Sequence, residues 1–262
     1  MTYDLVFCTV CIGESRLGDL LHLLNDMKNL NETIYVLTDI NLNFFEKYEF
    51  YNVKFIQSKN SDWDCFAKFE LIQHILNNTN STYIYYLDCD SRLINCYNIK
   101  YNHNLFVNLL NNISFDIMTS WTLDSISQQL QEPDIHENKN IRNFKFGHPN
   151  LITYLKSKLI NYNETIKLSG ILEGILIFNN KDNQLYPYIS EMLNIRNIIR
   201  TEDDKIQRTH KACASGFAFP LVSAMFNRQL EKNNIVYHFF KPNFTKEVFP
   251  FNWKIDVNAN IF

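Results

Sequence analysis

The sequence predicts an α/β protein in which a mostly parallel sheet carries helices on both faces. Apolar, strand-like runs alternate with segments of helical periodicity from the N-terminus to about residue 90, and this alternation is typical of parallel sheets. Hydrophobic residues make up 46% of the 262 residues and charged residues 20%, which provides enough apolar material for a large core. In such a sheet the ligand crevice lies beyond the carboxyl ends of the strands.

Three buried strands and two helices are expected in the first part of the chain. The runs at residues 3–10, 33–38 and 83–87 contain few polar side chains and therefore predict strands. A first helix is indicated by apolar residues at helical spacing, namely Leu17, Leu20, Leu21, Leu24 and Met27. A second helix, with Asp64 as its N-cap, is indicated by Phe66, Phe69, Ile72 and Leu76.

The rest of the chain is predicted to continue the same architecture. Strands are expected at residues 115–121, 168–178 and 235–240, and helices at residues 105–110, 188–199 and 203–213. The polar stretch at residues 122–147 has no clear period, which is typical of a lid or binding loop but leaves room for short helices. Because no internal repeat or linker is evident, residues 1–262 are interpreted as one domain with a Rossmann-like first half.

Charge, hydropathy and cysteine content disfavour several classes of protein. The 25 basic and 28 acidic residues give a net charge of −3, so no cation excess is available for nucleic acid or an anionic membrane. No apolar run reaches the roughly 18 residues of a transmembrane helix. The N-terminal apolar run lacks the basic region of a signal peptide, and Cys8 and Cys11 are interpreted as reduced structural thiols. We therefore expect a cytoplasmic protein.

The most informative segment follows the strand at residues 83–87. It contains Asp88 and Asp90, two carboxylates one residue apart at the carboxyl end of a buried strand. Carboxylate oxygens are preferred ligands of Mg²⁺ and Mn²⁺, and such ions commonly bridge carboxylates to a substrate diphosphate. The pair is therefore predicted to hold a divalent cation, with a solvated turn as the alternative interpretation.

This Asp-x-Asp segment resembles the metal site of GT-A glycosyltransferases, which transfer sugars from nucleotide-sugar donors. Upstream, Phe66-Ala67-Lys68-Phe69 is similar to the aromatic-Ala-Arg/Lys-Leu segment of glycosyltransferase family 8, whose basic residue contacts the donor. Downstream, residues 171–179 resemble the Phe-Asn-Ser-Gly-Val strand of that family, with Gly174 at the glycine and Glu173 at the serine. In the related family 6 the corresponding strand shapes the acceptor pocket.

Two later segments extend the resemblance. Residues 202–206, which contain Asp203 and Asp204, are similar to the acidic segment before a helix in families 6 and 8. Residues 236–242, which contain His238 and Lys241, resemble the C-terminal His-Phe-x-Gly-x-x-Lys-Pro-Trp segment of family 8. The resemblance implies three roles. Asp203, Asp204 and Glu173 would act as nucleophile or position the acceptor, His238 would complete the metal site, and Lys241, with Lys246 as a rival, would contact the diphosphate.

The resemblance implies one GT-A-like domain, with residues 1–95 binding the nucleotide sugar and residues 96–262 forming the acceptor-binding half and the C-terminal segment. No glycine-rich phosphate loop can be built from the six glycines, so donor binding is expected to depend on the turn from Thr9 to Gly13, on Asp39 and on metal-bound Asp88. The resemblance to family 8 implies a donor contact for Lys68 as well.

The activity implied is transfer of a hexose from a nucleotide sugar, first of all a UDP-sugar, to a glycan or other hydroxyl acceptor, with Mn²⁺ or Mg²⁺ and retention of configuration. The alternatives are an inactive nucleotide-sugar-binding module and a haloacid-dehalogenase-type phosphatase, for which Arg92 stands where Thr or Val is required.

Overall fold

A computed structural model describes residues 4–59, 65–93, 102–125, 149–159, 161, 163, 169–201, 214–232 and 240–242. The strands are β1 (Leu5–Cys11), β2 (Ile34–Thr38), β3 (Val53–Gln57), β4 (Tyr83–Leu87), β5 (Ser91–Leu93), β6 (Ile117–Ser125), β7 (Ser169–Asn179), β8 (Leu230–Lys232) and β9 (Phe240–Pro242). The α-helices are α1 (Leu17–Met27), α2 (Ala67–Asn78), α3 (His103–Asn111), α4 (Pro149–Lys158), α5 (Leu185–Thr201) and α6 (Ala214–Met225). Two short 3-10 helices span Glu14–Arg16 and Leu42–Lys47.

Seven of the strands form one sheet in the order β3-β2-β1-β4-β7-β6-β8, and β5 pairs separately with β9. The strands β1 to β4 run parallel, whereas β7 is antiparallel to both of its neighbours and β8 is parallel to β6. The chain leaves β1 toward β2 and β3 on one side and later returns to place β4 on the other side. The order of strands therefore reverses between β1 and β4, and ligands of α/β proteins bind at such a reversal.

Helices cover both faces of the sheet because the central strands are apolar on both sides. Every residue of β1 and β4 is buried. On one face, Val6, Cys8 and Val10 pack with residues of α2, α4, α5 and α6. On the other face, Phe7 and Cys11 pack with residues of α1 and α3. The predicted fold class, a mostly parallel sheet between two helical layers, is confirmed.

Several elements differ from the sequence-based expectation. The helix α2 begins at Ala67 with Phe66 at its N-cap, and the predicted cap, Asp64, lies outside the described residues. Three further strands, β3, β5 and β8, were not expected, nor were α4 and α6; the last contains Pro220, which normally disfavours a helix interior. The predicted helix at residues 203–213 and all but the last residue of the strand predicted at 235–240 lie outside the described residues, and the division of the chain at residue 95 stays a prediction.

None of the helices in the described ranges combines the length and the apolar character needed to cross a membrane. The described cysteines, Cys8, Cys11, Cys65 and Cys89, are free thiols. Cys8 and Cys11 pack in different cores on opposite faces of β1, so their spacing in the sequence does not make them a pair.

Candidate active site

Asp88 and Asp90 lie at the carboxyl end of β4, at the point where the strand order reverses. The backbone N–H of Asp88 donates to the carbonyl of Gly174 (2.7 Å), which extends the pairing of β4 with β7 by one residue. The N–H of Ser91 then donates to the carbonyl of Asp88 (2.9 Å) and closes a tight turn. Backbone hydrogen bonds on both sides therefore fix the position of the Asp-x-Asp segment.

The carboxylate of Asp88 is held by β4 and β7 together. The hydroxyl of Tyr86 donates to Oδ1 (2.6 Å), and burial together with the neighbouring Asp88 charge raises the pKa of Tyr86 well above its usual value. Tyr86 thus remains a hydrogen-bond donor at all ordinary pH values. A Cβ at position 174 would lie 2.9 Å from Asp88 Oδ2, so the close approach of the carboxylate to β7 requires a glycine there.

Lys68 places a positive charge beside Tyr86, the hydrogen-bond partner of Asp88. Its side chain is buried on α2, and Nζ lies 4.9 Å from the centre of the Tyr86 ring. The same charge partly offsets the burial that raises the pKa of Cys8. Lys68 is therefore part of the polar cluster at the end of β4, rather than a solvated lysine on a helix surface, and its predicted contact with a donor stays a prediction.

Asp90 has different surroundings. Burial and the charge of Asp88 raise its pKa to about 6, and Arg16 opposes this increase. Arg16 Nη1 lies 3.6 Å from Asp90 Oδ2 and 3.3 Å from Asp19 Oδ2. Sequence reasoning missed Arg16, since its proximity to Asp90 depends on the adjacent positions of β1 and β4.

The turn after β1 is fixed from the neighbouring strand. Gly13 has a positive φ of 91°, and its N–H donates to Oδ1 of Asp39 (2.8 Å), which follows β2. The N–H of Arg16 donates to the carbonyl of Gly13 (3.1 Å). Asp39 therefore lies at the predicted edge of the sheet, where its carboxylate orients the segment that carries Arg16.

Thr9 does not belong to this turn, so that part of the prediction is wrong. β1 continues to Cys11, and Thr9 lies within it, 1% exposed and opposite Val36 of β2. Among the residues that the structure describes, its hydroxyl oxygen has no hydrogen-bond partner. A contact between Thr9 and a donor stays a prediction, and the burial of the side chain does not favour it.

Cys89, between the two aspartates, joins the ends of β4 and β1. It lies in the same core cluster as Cys11, and the neighbouring Cys11 thiol together with burial raises the pKa of Cys89. Cys11 therefore neighbours a residue of the Asp-x-Asp turn rather than Cys8.

Two later segments of the chain, in β7 and β9, lie beside the Asp-x-Asp segment because their backbones pair with β4 and β5. Glu173 adjoins Gly174 on β7, and Lys241 of β9 pairs with Arg92 of β5, two residues after Asp90. The residues predicted to carry this C-terminal segment back to the main sheet, 235–237, lie outside the described part of the chain, and the described β9 pairs with β5. The remaining predicted site residues lie outside the described part of the chain: Asp203, Asp204, His238 and Lys246.

The two aspartates fit an open divalent-cation site. Within the described ranges no group of three or more His, Cys, Asp or Glu side chains converges as a complete set of metal ligands. Mg²⁺ and similar ions are nevertheless often held by one or two carboxylates, with water and substrate phosphates as the other ligands. Burial and, after it, the neighbouring charge of Asp88 raise the pKa of Asp90, and a bound cation would lower it.

A cavity of about 290 Å³ lies at the opposite edge of the sheet and is separate from this site. It is lined by residues before β2 and at the start of α3, including Asn31, Glu32 and His103. His103 Nδ1 lies 2.7 Å from Glu32 Oε1. The amino ends of the parallel strands meet at this edge, so the cavity cannot share a ligand with Asp88.

No protein family and no curated protein matches the sequence. Among solved structures, the chain is similar to the bifunctional IspDF from Campylobacter jejuni, at 13% identity and a TM-score of 0.40, over 89% of this chain and 51% of that one. It is also similar to the glycosyltransferase GlyE of Streptococcus pneumoniae TIGR4, at 11% identity and a TM-score of 0.44, over 88% of this chain and 45% of that one. For the apo form of GlyE the corresponding values are 11%, 0.44, 89% and 46%.

The chain thus spans about half the length of these solved structures. Likeness at such identities and TM-scores does not decide what the protein does. Membership in glycosyltransferase family 8 or 6 also stays a prediction, and the function has to be inferred from the site itself.

Proposed function

We propose that the protein is a metal-dependent glycosyltransferase. It transfers a hexose-type sugar from a nucleotide sugar to a hydroxyl group of a glycan or another acceptor. The leading candidate for the donor is a UDP-sugar. The observation that carries the proposal is the Asp88 and Asp90 pair at the strand-order reversal, with Asp88 held by Tyr86 and Gly174. The resemblance of residues 66–69 and 171–179 to family 8 supports it.

Asp88 and Asp90 would hold Mn²⁺ or Mg²⁺. When bound, the ion supplies positive charge that offsets the charge developing on the departing nucleoside diphosphate. The contribution of Tyr86 is orientation, because its hydroxyl fixes one carboxylate oxygen of Asp88 and leaves the other toward Gly174. Lys68 adds a positive charge close to the same cluster. The site is therefore organised before the donor arrives, which lowers the cost of binding it.

The remaining roles rest on the resemblance. Glu173 adjoins the metal-site glycine and would position the acceptor or act as nucleophile, together with Asp203 and Asp204. His238 would complete the metal site, and Lys241 would contact the diphosphate. Because the resembling families retain the anomeric configuration of the donor, we propose retention here.

Calorimetric titration with UDP and with GDP, each with Mn²⁺ and then with EDTA, tests the site. The wild-type protein should bind one of these nucleotides only with the metal, and Asp90→Asn should weaken that binding by about a hundredfold or more, since it removes a charged metal ligand. Asp4→Asn is the matched control, because Asp4 is exposed and precedes β1 at the opposite edge of the sheet. Unchanged Mn²⁺-dependent binding in Asp90→Asn would overturn the proposal.

Turnover separates an enzyme from an inactive binding module. A panel of nucleotide sugars should include a donor from which the wild-type protein releases the nucleoside diphosphate in the presence of Mn²⁺. Binding without any release would favour the module, and metal-dependent release of inorganic phosphate from a phosphate monoester would favour the phosphatase. Time-resolved NMR of the anomeric proton of the product then distinguishes retention from inversion.

A further inference from the structure

Arg16 faces the Asp-x-Asp turn from the other side of the crevice. It ends the short 3-10 helix that follows β1, and its side chain is 49% exposed. Its contact with Asp90 is an ion pair at 3.6 Å, which is longer than a hydrogen bond, and its hydrogen bond to Asp19 is a long one at 3.3 Å. The guanidinium is therefore close to the site without being tightly held there.

The backbone that carries Arg16 is fixed independently of the Arg16 side chain. Asp39 accepts a hydrogen bond from the N–H of Gly13, and the carbonyl of Gly13 accepts one from the N–H of Arg16. Neither bond uses the guanidinium. The turn thus presents a cation at the carboxyl end of β1, beside the carboxyl end of β4, and leaves the side chain able to exchange partners.

Charge balance indicates what that partner would be. One divalent cation neutralises Asp88 and Asp90, whereas the diphosphate of a nucleotide sugar brings about two further negative charges. Lys68 is buried beneath the Tyr86 ring, and Arg92 makes two short hydrogen bonds to Asp26, at 2.7 and 3.0 Å. Of these three cations, Arg16 is the most accessible, and its contacts with carboxylates are longer than those of Arg92. The planar guanidinium also matches phosphate oxygens better than an ammonium group does.

We propose that Arg16 is a diphosphate-binding residue of the donor site. It pairs with Asp90 in this structure and moves its guanidinium to the phosphate oxygens of the donor when Asp90 becomes a metal ligand. In this way the same residue lowers the repulsion between the two aspartates before binding and neutralises the diphosphate afterwards. This inference rests on the proposed function, because it requires a nucleoside diphosphate as ligand.

Affinities for UDP, UMP and uridine at a fixed Mn²⁺ concentration test this role without requiring turnover. Arg16→Gln should weaken UDP binding by about ten- to hundredfold, since it removes hydrogen bonds from a charged donor, and should change uridine binding by less than about twofold. Arg16→Lys keeps the charge but loses the planar guanidinium, so its affinity for UDP should lie between those of the wild-type protein and Arg16→Gln. Lys28→Gln is the matched control, because it removes an exposed cation near the C-terminal end of α1, at the opposite edge of the sheet.

The outcomes separate this inference from the proposed function. If the wild-type protein binds UDP with Mn²⁺ and Arg16→Gln binds it equally well while holding Mn²⁺ more tightly, Arg16 only balances the charge of Asp90 and the inference is wrong. If the wild-type protein binds no nucleoside diphosphate with Mn²⁺, the proposed function itself fails. Thermal unfolding of each variant shows whether it is folded, and Arg16→Lys gives the answer should Arg16→Gln not fold.

Discussion

Asp88 and Asp90 are neighbours in the sequence, but their surroundings give them different properties. Asp88 accepts a hydrogen bond from a buried tyrosine and lies against the backbone of β7. Asp90 is partly buried beside that carboxylate. Burial and the charge of Asp88 disfavour the ionised form of Asp90, and Arg16, whose Nη1 lies 3.6 Å from Asp90 Oδ2, favours it. The fixed carboxylate of Asp88 and the neighbouring carboxylate of Asp90, whose ionised form is disfavoured, are suited to a cation that both can share.

The raised pKa of Asp90 makes a prediction about stability. Its pKa is about 6 in the folded protein against an ordinary value of 3.8, so the folded state binds this proton more tightly than the unfolded state does. The resulting stabilisation is fully present below about pH 3.8 and is lost as the pH rises through about 6. Without divalent cations, Asp90→Asn should therefore unfold with a free energy about 1–3 kcal/mol higher than wild type near pH 7.5, and the difference should almost vanish near pH 4.

Urea unfolding in EDTA at both pH values measures this difference, with Asp4→Asn as the control for loss of an exposed carboxylate. A gain of the same size at both pH values would show that the side chain, and not its ionisation, is responsible.

Gly174 permits a second prediction at the scale of single atoms. An alanine Cβ there would lie 2.9 Å from Asp88 Oδ2, while Tyr86 holds the other oxygen of the carboxylate. Gly174→Ala should therefore displace the carboxylate, weaken Mn²⁺-dependent UDP binding by about tenfold or more, and cost about 1 kcal/mol of unfolding free energy.

Gly18→Ala is the matched control, because no heavy atom lies within 4 Å of the Cβ position of Gly18 in α1. It should leave UDP binding unchanged and raise stability by up to about 1 kcal/mol. Wild-type UDP affinity in Gly174→Ala would mean that Asp88 tolerates displacement and that the glycine is not needed for binding.

Among the secondary-structure elements, β5 links the Asp-x-Asp turn to two distant parts of the chain. Arg92 donates two hydrogen bonds to the carboxylate of Asp26 on α1, and the N–H of Leu93 donates to the same carboxylate (3.3 Å). On its other side, β5 pairs with β9. The turn that carries Asp88 and Asp90 is therefore anchored at β4 before it and at β5 after it.

The pair of Arg92 and Asp26 should contribute measurably to this anchoring. Arg92→Lys keeps the charge but cannot make both hydrogen bonds, so it should cost about 1 kcal/mol of unfolding free energy. A double-mutant cycle with Asp26→Asn, measured by urea unfolding at low and high salt, isolates the interaction. Faster hydrogen exchange at residues 91–93 should accompany the loss. A coupling energy indistinguishable from zero at low salt would mean that β5 is held by its pairing with β9 instead.

For the molecule as a whole, the decisive feature is the position of β7. This strand is distant from β4 in the sequence but inserts next to it in the sheet, antiparallel, and brings Gly174 to the end of β4. Behind it, Phe219 of α6 packs against Phe178 of β7 and Phe69 of α2. The helices of this face thus connect the two halves of the chain through one core.

Local patterns predicted the first half of this architecture well. β1, β2, β4 and the helices α1 and α2 are found within a few residues of their predicted bounds, because each is encoded by the spacing of its own apolar residues. The short strands β3, β5 and β8 were missed because their stability comes from neighbouring strands rather than from their own composition. In β3, for example, the adjacent apolar residues Phe55 and Ile56 interrupt the alternation that would indicate a strand.

The sequence by itself determined an α/β fold and a pair of aspartates at the carboxyl end of a buried strand, since both depend on residues close together in the chain. Only the tertiary structure decided which side chains meet these aspartates. Asp39 binds the Gly13 turn across 26 residues, and Arg92 binds Asp26 across 66. Arg16 reaches Asp90, and Gly174 reaches Asp88, through the order of strands in the sheet. Such contacts arise when the sheet assembles and buries its apolar surface, and no local periodicity encodes them.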